Sequence, residues 1–210
     1  MDMIEAKFQE MRTEARNELI NSIAVHEAGH FVMMLLLMRQ APYYITLTPE
    51  TGNGMTLPFR LPDSIAEYAL IMMAGYAAEK LWDSSGEDTG LGDYLHHDDC
   101  DNQDFLRMCR ELGGTVGVTA DYYILELKSF QAAEEVLKNH KSLIFSLATE
   151  LKYAEGTEMD YDAIKNFCRD NQRAFPLLGS VAFSKPTPKE KKELQLAIDE
   201  YKADQKAAIN

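Results

Sequence analysis

His26 and His30, with Glu27 beside the first, are the side chains of this sequence best placed to do chemistry. They lie in Ser22 to Met38, SIAVHEAGHFVMMLLLM. On a helix, residues four apart share a face, so the two imidazoles would present themselves to a common point at a spacing suited to one metal ion. Zinc accepts neutral imidazole nitrogen, and a catalytic zinc keeps a position open for water, whose acidity it raises. A carboxylate next to that water can take its proton. The H-E-x-x-H pattern therefore implies metal-assisted peptide hydrolysis, with His26 and His30 as ligands and Glu27 as general base. Burying these three groups without partners among apolar neighbours would cost roughly several kcal/mol, a cost that metal binding offsets. Gly29 within the same helix costs about 1 kcal/mol relative to alanine, which points to close approach of another backbone or a ligand.

Composition bounds the setting. The chain has 210 residues, 46% hydrophobic and 26% charged, enough for a sizeable core in one domain with an appendage. A formal net charge of -13 argues against nucleic acid or an anionic membrane surface as partner, since both need a basic footprint. Cys100, Cys109 and Cys168 have no C-x-x-C spacing, so neither a disulfide framework nor a cysteine zinc ribbon is indicated, and a reducing cytoplasm is expected. The longest uninterrupted apolar run, Phe31 to Met38, is far shorter than a bilayer span, and the polar first twenty residues do not resemble a signal peptide.

Several elements must position the motif. Residues 1–21 are rich in helix formers and either continue into the motif helix or pack separately. Pro42 forbids continuation beyond about Arg39 to Ala41. Tyr43 to Thr48 reads as a strand, Glu50 to Gly54 as a turn, and Met55 to Arg60 as a second strand confined to an edge by Pro58. An extended peptide can add to such an edge. Asp63 is the expected N-cap of a helix reaching Trp82, whose Ala74, Gly75, Ala77 and Ala78 permit close packing.

Two histidines cannot hold a catalytic zinc alone. The acidic stretch Asp93 to Asp104, which contains His96, His97, Asp98, Asp99 and Asp101, offers a third ligand, and Glu79 is another candidate. An EF-hand calcium loop fails there, because no glycine or closing glutamate falls at the required offset from Asp99. A solvated acidic helix start accounts for most of these aspartates.

Four blocks of the chain, in order, resemble the peptidase domain of the FtsH-type ATP-dependent zinc proteases. AVHEAGH is similar to the metal helix, YYITLTP with GMTLPFRLP to its strand and edge strand, MMAGYAAEKLW to its glycine-containing helix, and NQDFLRM to the segment bearing the third ligand. Residues 131–168 are more weakly similar to its closing helical hairpin, a long helix followed by one beginning near Asp160. The resemblance implies a mainly α fold with a small β-hairpin or sheet (α+β), zincin-like, with Zn2+ held by His26, His30 and Asp104. Asp101 is the alternative ligand, and His96 and His97 are not expected to ligate.

No G-x-x-x-x-G-K-[ST] motif or membrane segment accompanies these blocks, so a stand-alone, ATP-independent peptidase is expected, acting on peptides, unfolded segments or an exposed loop. The alternative is a zinc-stabilised binding or regulatory module with vestigial or partner-restricted cleavage. The expected organisation is a helical lead over residues 1–21, the peptidase-like domain over 22–168 and a charged tail over 169–210. The tail's helix, with Leu194, Ile198 and Tyr201 on one face, is expected to be solvated or to meet a second copy or separate partner.

Overall fold

A computed structural model describes residues 3–83, 119–154, 157–183 and 185–209. Helix α1 (Met3–Met38) runs without a break through the motif, so the N-terminal lead continues directly into it. It stops where Pro42 requires. Arg39 turns into the left-handed region (φ 54) while its N–H still reaches the Leu35 carbonyl at 3.2 Å, a closure more often made by glycine. The window of α1 around Arg16–Met38 is long and apolar enough to cross a bilayer by length and composition, although the uninterrupted apolar run is not. In the fold, 67% of that window is buried, chiefly against neighbouring helices.

Strands β1 (Tyr44–Thr48) and β2 (Asn53–Leu57) form an antiparallel hairpin with Tyr44 opposite Leu57 and Thr48 opposite Asn53. Gly52 (φ 74) supplies the left-handed residue of the turn, and the Thr51 and Gly52 N–H groups both donate to the Thr48 carbonyl at 3.1 Å. A short strand that the sequence reading lacked, β3 (Glu158–Met159), pairs antiparallel with the other side of β1. The sheet order is therefore β2-β1-β3, with β2 on an edge as its proline predicts. β2 begins two residues earlier than expected and ends before Pro58, because the ladder needs the N–H that proline lacks.

Helix α2 (Ile65–Trp82) is capped by Ser64, which accepts from the Glu67 N–H, rather than by the expected Asp63. Its small residues admit α1 as expected. A Cβ on Gly29 would lie 2.7 Å from Ala78 Cβ and closer still to the Ala74 carbonyl oxygen. The expected long helix beyond residue 131 is two: α3 (Thr119–Leu137) and α4 (Lys141–Tyr153), separated by a tight turn at Lys138–His140. Asn139 and His140 are weak helix formers, and the break falls on them. Asp160 caps α5 (Tyr161–Asn171) by accepting from Ala163 N–H at 2.8 Å. The core joins α1 through α5 and β1, with Phe31 meeting Phe167 edge to face at 6.4 Å.

The tail is not a solvated appendage. After a second tight turn at Pro176–Ser180, helix α6 (Pro188–Ile209) folds back onto the sheet. Thr187 and Glu190 form a reciprocal capping box. Leu194 and Ile198 are buried, so the face the sequence offers to a partner is covered by the chain itself. Lys202 pairs with Glu158 at 2.8 Å, Tyr44 donates to the same carboxylate, and the lysine lies over the Tyr44 ring at 5.4 Å.

Burial opposes charge on Glu158, but the Lys202 ammonium and Tyr44 hydroxyl outweigh it and hold its pKa below the ordinary 4.5. A carboxyl lowered on folding contributes stability that is present above 4.5 and lost as pH falls through the folded value. Amide protection factors in α6 should therefore drop on acidification from about pH 6 to about pH 3, beyond the change in the rest of the chain. Glu158→Gln should reduce the excess, leaving the part that comes from the Glu190 cap at the start of α6.

Candidate metal centre and cleft

His26 and His30 share one face of α1, their ring centroids 4.7 Å apart and the ring planes at 71°. What surrounds them fixes which nitrogen faces the cleft. His30 Nδ1 lies 2.7 Å from the backbone oxygen of Ile71 on α2. A carbonyl can only accept, so Nδ1 carries the proton and, in the neutral ring, Nε2 carries the lone pair. His26 Nδ1 meets Glu79 Oε1 in the same sense, and the other Glu79 oxygen accepts from Ser22 Oγ at 3.0 Å. Each imidazole is thus held from behind by an acceptor, the arrangement that sets tautomer and orientation in metal-ligating histidines.

Glu79, read from sequence as a possible third ligand, instead stands behind His26. Both of its oxygens are engaged, one by each neighbour on α1. Gly75 makes room for this. An added Cβ would lie 2.5 Å from both Cδ2 and Cε1 of His26 and no farther from Nε2. Near-equal distances to three ring atoms place the glycine over the imidazole's face, so it backs the ring without covering the in-plane direction of Nε2. Tyr76 closes another side, edge-on to His26 with centroids 5.0 Å apart.

Glu27 is 4% exposed. Thr56 of β2 donates to its Oε2 at 2.6 Å, a charge-assisted bond that fixes the carboxylate's orientation. Gly54, two residues earlier on the same face of the strand, lies so close that a Cβ there would sit 2.6 Å from Glu27 Cγ. The edge strand therefore packs directly on the candidate base. Above these groups opens a cleft of about 1330 Å³, with β2 and the following residues 58–65 on one side and α6 on another.

The structure brings His26, Glu27 and His30 together as the motif predicts. Asp104, the third ligand implied by the family resemblance, lies outside the described residues, as do Asp101, His96 and His97. Among the described residues no group of three or more histidine, cysteine or acidic side chains gathers around one metal position. Ser22, Thr56 and the Ile71 carbonyl are not among the site groups expected from sequence. Ser22 had a signal, since it stands four residues before His26 on the same face; the carbonyl had none.

Protein-family models, curated proteins and solved structures were all compared with the chain, and none matches.

The close approach at Gly75 makes a specific expectation. Gly75→Ala would force the His26 ring off Glu79 or part α1 from α2. Overpacking of about 1–3 kcal/mol is expected, which for a chain of this size lowers the melting temperature by about 2–4 °C per kcal/mol. Thermal unfolding monitored by circular dichroism measures it.

Proposed function

We propose that this chain is a zinc-dependent endopeptidase of the FtsH-like, zincin type, acting without ATP on peptides or unfolded or looped segments in a reducing cytoplasm. The observation that carries this reading is the pair of acceptors behind the imidazoles. With Ile71 O holding His30 Nδ1 and Glu79 holding His26 Nδ1, both neutral rings present Nε2 lone pairs from one helical face. Borderline-soft nitrogen donors with hydrogen-bonded second partners suit Zn2+. His26 and His30 would hold the ion together with a carboxylate from the acidic segment, Asp104 or its neighbour Asp101.

When bound, zinc supplies Lewis acidity to a water and to the scissile carbonyl. The remaining work belongs to the protein. Glu27, oriented by Thr56, accepts the proton of the attacking water and delivers it to the departing amine. β2 offers its outer edge to an extended segment, whose main chain would pair with it as a further strand. The same strand bears Thr56, so the element that aligns the substrate also aligns the base.

Three variants test this with metal content and cleavage measured side by side. Glu27→Gln should keep about one zinc per chain while cleavage of a labelled unfolded protein falls by about 10²–10⁴-fold. His30→Ala should lose the metal. Glu79→Ala should weaken zinc affinity by about 10–100-fold, as loss of a ligand's supporting partner does. Full cleavage by the Glu27→Gln protein, or a metal-free protein under zinc-replete conditions, would overturn the assignment.

A further inference from the structure

Helix α6 divides its surface between two grooves. Glu190, Glu193, Ala197, Asp204 and Gln205 recur at helical spacing and line the large cleft that holds the H-E-x-x-H turn. Lys191, Gln195 and Lys202, on the adjoining face, line a second groove with Glu158, Asp160 and Asp162. The helix is thus set with its basic stripe toward the acidic β3–α5 link. Hydrogen bonds hold that rotation: Tyr201 to Thr48 at 3.2 Å, Asn53 to Gln205 at 3.2 Å, and Thr51 to the same glutamine. The Lys202 pair with Glu158 holds it on the other side.

One consequence is the charge of the cleft wall. Away from the motif and Glu79, the described lining includes Asp63, Glu190, Glu193 and Asp204, with Arg60 as its only lysine or arginine. Glu190 also caps the helix and Glu193 shares an exposed pair with Lys189 at 3.7 Å, and such exposed pairs contribute little. A segment laid along the edge of β2 would run between that strand and α6. Alternate side chains would point toward the helix.

We propose that α6 is the second wall of the substrate cleft and selects extended segments that carry lysine or arginine. The occupant being a peptide rests on the peptidase reading; the charge preference stands on the wall itself and is read by binding. Opposite charge favours encounter and register with such a wall, and like charge is rejected.

The test uses the full chain as its Glu27→Gln variant, zinc-loaded, with fluorescein-labelled peptides of about ten residues, long enough to cover an edge strand. One peptide carries lysine at alternate positions and the other glutamate, in the same alanine and threonine background. Fluorescence anisotropy should give at least about tenfold tighter binding of the lysine peptide, weakening with salt. Adding Glu193→Lys and Asp204→Lys should abolish or reverse the preference. Adding Asp199→Lys and Glu150→Lys, the same change in net charge at exposed positions outside the cleft, should preserve it. Equal loss in both double variants, persistence of the preference in the first, or no binding of either peptide overturns the proposal. The peptidase reading fails separately: if the zinc-loaded native chain cleaves neither peptide but the preference is present, the selective wall stands without the hydrolase. If it cleaves both alike and binding shows no preference, the hydrolase stands and the wall falls.

Discussion

The interaction on which the rest depends is the support of polar groups buried inside an apolar helix. Glu27 and His30 are nearly inaccessible to solvent and flanked by Val25, Ala28, Phe31 and Val32, all buried. Such groups would destabilise the fold by several kcal/mol unless each found a partner. The chain brings a partner from a different element to each, Thr56 of β2 to Glu27 and the Ile71 carbonyl of α2 to His30, and α2 also brings Glu79 to His26. Packing of α1 against α2 and against the hairpin is therefore also the assembly of the candidate centre.

This explains the placement of glycines. Gly29 lets the two helix backbones approach, Gly75 accepts the face of His26, and Gly54 accepts the Glu27 side chain. Each sits where a methyl group would meet backbone or one of the motif side chains. Gly75 lowers the intrinsic helicity of α2 by roughly 1 kcal/mol relative to alanine, and contact across the helix pair is what offsets that loss.

Local signals in the sequence were enough for most elements. Pro42 marks the end of α1, the Thr51-Gly52-Asn53 turn marks the hairpin, and Asp160 marks the start of α5. The motif spacing alone brings His26, Glu27 and His30 to one face. What escaped reading depends on contacts distant along the chain. β3 is two residues long and exists because β1 has a second edge to satisfy. Thr56 looks like any strand threonine until β2 lies on α1. The return of α6 was illegible because its apolar stripe is narrow, and its docking is set largely by Lys202, Tyr201 and Gln205 meeting groups about 40 to 150 residues away. The capping residue of α2 moved by one position, within the usual ambiguity between adjacent Asp and Ser.

The glycine beneath the His26 ring also limits how this protein can diverge. A side chain gained at Gly75 would disturb the helix pair and the imidazole in one step. Loss of the proposed chemistry by that route would come with a loss of stability.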